Sequence, residues 1–239
     1  MSLYRCSGIV LRTYKLGESD RIVSMLTDSQ GKVRGVAKGV RKTKSRIGAR
    51  LEPLTHVALL MYAGRGELDI VSQAETIEPF RPIREDLDRL TKATALLEAV
   101  DHVAVEGQHD ERLFKMLLGG LRSLSETDSP LLVGAFYWKL LSHEGYEPSL
   151  DSCVRCGATD TLIGFDAAAG GVTCRSCSLG ARMSPAALEL LRRVLGGQLS
   201  AALREPDSAV VHEVERLGTA ALEHTLERRL KAGHLLDHA

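Results

Sequence analysis

GKVRGVAKGVRKTKSRIGAR, residues 31 to 50, holds two kinds of backbone in one run. Its first part, Lys32 to Lys38, alternates in the manner of a strand. Its second part, Gly39 to Arg50, reads as a mobile cationic loop. Gly31, Gly35, Gly39 and Gly48 interrupt the run, which excludes one long helix. Eight basic residues (Lys32, Arg34, Lys38, Arg41, Lys42, Lys44, Arg46 and Arg50) stand in it, and no carboxylate lies between Asp28 and Glu52. A loop of this charge attracts polyanions.

Outward from that run, the flanking segments also read as strands. Upstream, Gly8 to Tyr14 and Arg21 to Thr27 are rich in β-branched and apolar residues, separated by a turn at Leu16 to Asp20, and Asp28 to Gly31 is a tight turn. Downstream come Thr55 to Tyr62 and Leu68 to Ile77, joined by Ala63-Gly64-Arg65-Gly66. Cys6 stands before the first strand as an ordinary thiol. Five short strands with one long basic connection after the third suit a small barrel, with the five-stranded OB-fold as the natural candidate and an SH3-like barrel close behind.

After Pro79 and Pro82 the apolar period becomes helical. Leu87 to Ala104 and a segment after Asp110 are the first two helices. Ser129-Pro130 predicts a capped third helix that stops near Gly145, with Trp138 in its core. Ser184-Pro185 repeats the device for a helix ending at Gly196-Gly197. Asp207 or Ser208 caps a last helix whose end, Leu226 to Lys231, places cations in its final turns. These helices are expected to form one bundle. The fold class is α+β: residues 1–80 an OB barrel, 81–148 and 184–239 two parts of a helical domain, and 149–183 an insert.

That insert carries Cys153-Val-Arg-Cys156 and Cys174-Arg-Ser-Cys177, two CxxC pairs separated by 17 residues. Each pair lets a tight knuckle aim two thiolates at one tetrahedral ion, so Cys153, Cys156, Cys174 and Cys177 are expected to hold one structural Zn²⁺. Arg155, Arg175 and Arg182 are placed to offset the thiolate charge. A redox pair is the rival reading.

The 239 residues carry 31 Lys/Arg and 31 Asp/Glu, yet residues 1–50 hold 12 against 3 and the remainder 19 against 28. This asymmetry points to an anion-binding N-terminal domain. Neither a membrane span nor a signal peptide is evident, which suggests a cytoplasmic protein. No phosphate loop, HExxH, GxSxG or GxGxxG motif occurs. Glu18, Asp20 and Asp28 read as turn residues rather than a metal-assisted hydrolytic site. No catalytic constellation is found, and the chain is expected not to be an enzyme.

The run GIVLRTYKLGESDRIVSMLTDSQGKVRGVAKGVRKTKSRIGARLEP resembles the bacterial recombination mediator family RecO. QAETIEPFRPIREDLDRL is similar to that family's junction between barrel and helices, and YEPSLDSCVRCG with GGVTCRSC to its zinc-binding insert. The resemblance implies binding of single- and double-stranded DNA and annealing of complementary strands. It also implies, with RecR, assistance of RecA on DNA coated by single-strand-binding protein, whose acidic C-terminal tail the family contacts. On this reading Lys38, Arg41, Lys42, Lys44 and Arg46 line the DNA-binding loop. Lys32, Arg34, Arg12, Arg21 and Arg50 add charge nearby, and Tyr14 and Tyr62 are candidates to stack on bases. A zinc-ribbon protein binding structured RNA or a transcription complex, and a thiol oxidoreductase, are the competing classes.

Overall fold

The computed structural model describes residues 2–232 apart from 43, 44, 46, 65 and 179. Its contacts divide the chain into two compact units, Met1–Glu126 and Thr127–Ala239.

In the first unit, strands β1 (Leu3–Leu16), β2 (Asp20–Thr27), β3 (Gly31–Ala37), β4 (His56–Tyr62) and β5 (Asp69–Glu78) close into a barrel in the order β1-β2-β3-β5-β4. All pairings are antiparallel except the closing seam, where β3 meets β5 in parallel through Gly35↔Asp69 and Val36↔Ile70. That order and the single parallel seam are those of an OB barrel rather than an SH3-like one. Inward residues fill the interior: Val10, Val23, Met25, Val57, Met61 and Val71 are all buried. Gly35 faces the same space, and a Cβ there would lie 2.8 Å from the Met61 methyl carbon.

Strand β1 is longer than its apolar stretch, 14 residues instead of the seven from Gly8. Cys6 is therefore inside the first strand, opposite Leu59, not ahead of it. Its side chain packs on the core, and burial pushes its thiol up to about 12.

The segment after β3 is tethered, which corrects the expectation of a loose loop for its described residues. Val40 and Leu51 are buried in the barrel core, and Ile47 packs against it. Gly48 lies so close to the Val40 carbonyl oxygen that a Cβ would stand 2.5 Å from it. Lys44 and Arg46 lie outside the described residues.

Helices α1 (Arg81–Arg84), α2 (Leu87–Val103) and α3 (Glu111–Glu126) complete this unit. The Asp86 side chain caps α2 by accepting the Asp88 and Arg89 N–H groups. Arg84 secures the junction, donating to the carbonyls of Pro53 (2.6 Å), Leu54 (2.7 Å) and Pro79 (3.0 Å) and to Thr55 Oγ1 (2.9 Å). Beyond α2 the chain returns to the barrel: Lys32 and Glu106 form a parallel bridge, and the Gly107 N–H donates to the Lys32 carbonyl at 3.0 Å.

The second unit holds helices α4 (Leu132–His143), α5 (Pro185–Leu195), α6 (Leu199–Ala202) and α7 (Ala209–Leu226), with a small sheet of β6 (Leu162–Asp166), β7 (Gly171–Cys174) and β8 (Ala181–Arg182) in the order β7-β6-β8. Two of the expected caps form: Ser184 accepts from Ala187 N and Ser208 from Val211 N. The third does not. Leu131 occupies the cap position of α4, and the buried Ser129 hydroxyl does not perform that role. The last helix also stops early. Glu227 turns left-handed (φ 50°) after Leu226, and the Leu230 N–H donates to the Glu223 side chain, so Arg228, Arg229 and Lys231 follow the helix instead of ending it.

Trp138 is fully buried, as its apolar neighbours imply, and its indole N–H donates to the Val214 carbonyl at 3.0 Å. Small residues bring α4 and α7 this close. A Cβ on Gly134 would lie 2.8 Å from Glu215 Cα, and one on Gly218 would lie 2.9 Å from Trp138 Nε1. Helix propensity alone favours alanine over glycine by about 1 kcal/mol, but at position 134 the obstacle is backbone and cannot yield. Gly134→Ala is therefore expected to destabilise the chain by about 1–3 kcal/mol in urea titration. A stabilised variant would show that α4 and α7 do not depend on that contact.

Candidate nucleic-acid interface and cysteine cluster

The basic residues singled out in the sequence fall into three settings. Lys38, Arg41 and Lys42 are exposed where the chain leaves β3. This exit is joined to the turn between β1 and β2. Asp20 accepts the Gly39 N–H at 2.7 Å, Arg41 N donates to the Ser19 carbonyl, and the Arg41 guanidinium donates to the carbonyls of Gly17 (3.1 Å) and Glu18 (2.9 Å). The Gly39 and Ser19 hydrogen bonds, with Lys38 and Lys42 nearby, hold the Asp20 carboxyl below its ordinary range.

Arg12, Lys32 and Arg34 lie on the outer faces of β1 and β3, and each is matched by an acid. Asp101, 9% exposed on α2, lies 2.9 Å from Lys32 and 3.5 Å from Arg12, and accepts from the Ser24 hydroxyl at 3.2 Å. Arg34 meets Glu106 at 2.7 Å and Glu67 at 3.1 Å. Arg21 and Arg50 stand elsewhere: Arg21 pairs with Glu52 at 2.5 Å, and Arg50 donates to the Ala74 carbonyl. The acids are what sequence reasoning missed. The one local signal is Asp101 itself, a charge within the apolar run LLEAVDHV, where an unpaired carboxylate would be costly to bury.

The four paired cysteines converge. Their sulfurs all lie within 4.8 Å of one another, and Cys156 Sγ is 3.7 Å from Cys174 Sγ. A disulfide would bring two sulfurs to about 2.05 Å, and none is bonded. Four sulfurs at about 2.3 Å from one zinc ion stand about 3.8 Å apart, so the cluster has the scale of a tetrahedral thiolate site. Backbone geometry builds it. Gly157 is left-handed (φ 76°), and its N–H closes the first knuckle on the Cys153 carbonyl at 2.8 Å; Cys177 N closes the second on Cys174 O at 3.1 Å. N–H groups of Cys174, Arg155 and Cys156 point at the Cys153 sulfur and push its thiol down to about 6, an outer shell of donors that suits a metal-bound thiolate.

Arg155 is more engaged than expected. It grips Asp166 with two N–H groups (2.5 and 3.2 Å), while Asp166 also accepts from Ala168 and Ala169 N. Its guanidinium still lies in the field of Cys177 and Cys153. The ribbon is fixed to its own unit by Phe165, which meets Trp138 edge-on with centroids 5.2 Å apart.

A closed OB barrel with a cationic exit from its third strand, joined in one chain to helices and a four-cysteine ribbon, defines a nucleic-acid-binding type of architecture with a metal-type knuckle. The comparisons with known proteins are specific. Residues 1–80 match the family Recombination protein O N terminal, and residues 84–234 match Recombination protein O C terminal. The chain is 41% identical over 245 residues to "DNA repair protein RecO" of Frankia casuarinae, covering all of both chains. It is 41% identical to the protein of that name from Streptomyces griseus (97% of this chain, 98% of the relative) and 42% identical to that from a Nocardioides species (96% and 97%). The chain belongs to the RecO family of DNA repair proteins. Among the described residues no helix is long and apolar enough to cross a membrane.

Removing Asp101 would take from Lys32, only 13% exposed and close to Arg12, the carboxylate that stands 2.9 Å from its ammonium. Asp101→Ala is expected to cost about 2–4 kcal/mol of stability, whereas Asp101→Ala combined with Lys32→Met should recover about half of that loss. The measurement is a double-mutant cycle by chemical denaturation, and additive losses would show that the two groups do not act as a pair.

Proposed function

We propose that this chain is a non-enzymatic recombination mediator that binds single- and double-stranded DNA through phosphates and anneals complementary strands. With RecR it would assist RecA loading on strands coated by single-strand-binding protein, whose acidic C-terminal tail is a further partner. The work would be done in the cytoplasm, on the nucleoid. The observation that carries the reading is the group Lys38, Arg41 and Lys42, exposed together on an OB barrel in a chain of a DNA repair family. Lys44 and Arg46, from the same stretch of sequence, are further candidates for phosphate contact. Arg12, Lys32, Arg34, Arg21 and Arg50 supply a second tier, for which phosphates compete with the acids paired to the first four and with the Ala74 carbonyl that Arg50 engages.

Annealing on this surface requires no bond chemistry. Two phosphate backbones repel, and a cationic surface that holds both lowers the repulsion and raises their local concentration. Contacts through phosphate carry no sequence information, so binding is indifferent to sequence and strongly salt-dependent.

Cys153, Cys156, Cys174 and Cys177 would hold one Zn²⁺ as a structural centre. Four thiolates leave no open position, so the ion ties the two knuckles together and does not activate water.

Two measurements test this reading. With about six phosphates engaged, log K for a single strand should fall against log[salt] with a slope near −4. Replacing Lys38, Arg41 and Lys42 by Ala should reduce that slope by about 2 and slow annealing of strands coated by single-strand-binding protein. A salt-independent affinity, or a triple variant that anneals at the parent rate, would sink the proposal. For the metal, elemental analysis should find about one zinc per chain, with four of the five thiols reacting only after chelation. Four thiols that titrate freely in zinc-loaded native protein would exclude the structural site.

A further inference from the structure

The four sulfurs of the ribbon are not equally open to solvent. Cys153 and Cys174 are buried, Cys177 is half-buried, and Cys156 is exposed. Cys156 stands in the turn of the first knuckle, just before the left-handed Gly157. Its sulfur lies 3.7 Å from that of Cys174, which ends β7 and belongs to the second knuckle. The fifth cysteine, Cys6, packs on the barrel core in the other unit.

The thiolate is the reactive form of cysteine, and metal ligation keeps a thiol in that form. Oxidation by peroxide follows thiolate character and access, and a second thiol beside the oxidised sulfur converts it to a disulfide. Cys156 has the access, and Cys174 has the place. Their sulfurs need to close from 3.7 Å to about 2.05 Å to bond.

We infer that the ribbon is a peroxide-responsive site in which Cys156 is oxidised first and Cys174 resolves it. This rests on the zinc reading above and adds to it a route by which the ion is let go. The Cys156 thiolate attacks one oxygen of hydrogen peroxide; the O–O bond breaks, an S–O bond forms and hydroxide leaves. The Cys174 thiolate then attacks the Cys156 sulfur; the S–S bond forms, the S–O bond breaks and a second hydroxide leaves. Two thiolates lose two electrons, and one peroxide is reduced to two hydroxide ions. Cys153 and Cys177 alone remain as thiolates, half of a tetrahedral shell. The new bond joins the two knuckles to each other, and a dithiol reverses it by exchange.

The first knuckle is also linked to the helices. Arg155, next to Cys156, grips Asp166 with two N–H groups. Phe165, next to Asp166, meets Trp138 edge-on, and Trp138 donates to the Val214 carbonyl on α7. Drawing Cys156 toward Cys174 shifts Arg155 and, through Asp166, the packing of Phe165 on the chain's one tryptophan.

The test treats the zinc-loaded full chain with hydrogen peroxide in steps. It follows released zinc with a chromogenic chelator, Trp138 emission, and the masses of tryptic peptides after free thiols are blocked. Trypsin cuts after Arg155 and Arg175, so Cys156 and Cys174 share the peptide 156–175, whereas Cys153 and Cys177 fall in its two neighbours. About one zinc per chain should be released, in step with the change in emission. Peptide 156–175 should become lighter by two hydrogens, and Cys6 should remain a thiol. A dithiol followed by zinc should restore all of these, and Cys6→Ser should respond as the parent does. Zinc retained at peroxide levels that fully oxidise glutathione overturns the proposal. So does a bond mapped to Cys153–Cys156 or Cys174–Cys177, which would join neighbouring peptides, or a response lost in Cys6→Ser. A chain that binds no zinc before peroxide is added, with all four thiols titrating freely, overturns the zinc reading itself and the switch with it.

Discussion

Closing this barrel forces β3 to lie parallel to β5. Parallel neighbours cannot be joined by a hairpin, so the chain must cross from the end of β3 to the start of β4 before β5 can return alongside. Residues 38–55 make that crossing. The path is tied down by side chains that enter the core, Val40 and Leu51, and by Arg84, which collects the carbonyls where the crossing ends. The cationic segment is thus a topological necessity with apolar anchors, and among its described cations Lys38, Arg41 and Lys42 face solvent. The same hydrogen bonds that fix Gly39 and Arg41 against the β1–β2 turn place Lys38, Arg41 and Lys42 on one side of the barrel.

Charge on the barrel is partitioned by burial. Where α2 meets the strands, cations are paired: Asp101 serves two of them and a serine hydroxyl from a position that is 9% exposed. A charge there needs a counter-charge, because water is scarce. Arg34, with Glu106 and the highly exposed Glu67, is intermediate. Exposed ion pairs contribute little to stability, so a phosphate can displace Glu67 at small cost. The net positive charge of residues 1–50 therefore overstates the charge that a polyanion meets, because part of it neutralises acids that arrive later in the chain.

The sequence made the strands, most caps and the cysteine spacing legible because each rests on a local rule. Alternation marks β2 to β5, Ser184-Pro185 announces α5, and the two CxxC pairs do converge. What it hid is nonlocal. The first half of β1, with Arg5, Cys6 and Ser7, lacks the apolar signature because its strand pairing with β4, not its own side chains, makes it a strand. Ser129 has the residues of a cap but not the backbone position, since the helix begins two residues later than the motif implies. At the other end, Glu227 adopts a left-handed turn that lets the fully buried Leu230 reach the core, and that burial outweighs a favourable arrangement of cations against the helix dipole. The acids that pair with Arg12, Lys32 and Arg34 lie 33 to 89 positions away in sequence, beyond the reach of any local pattern.

The bridge from Lys32 to Glu106 has a consequence for the exposed edge of β3. Since the parallel seam engages β3 only at Gly35 and Val36, the first part of that strand would otherwise offer unpaired N–H and C=O groups, a template onto which another chain's strand can add. The stretch following α2 occupies this edge, packed so tightly that a Cβ on Gly31 would fall 1.9 Å from the Gln108 carbonyl oxygen. The edge of β3 is thereby kept from pairing with other strands, and the segment that gives this protection comes from outside the first 80 residues. The barrel and its helices are in that sense one inheritable piece: separating them would expose an adhesive edge where a closed one stood.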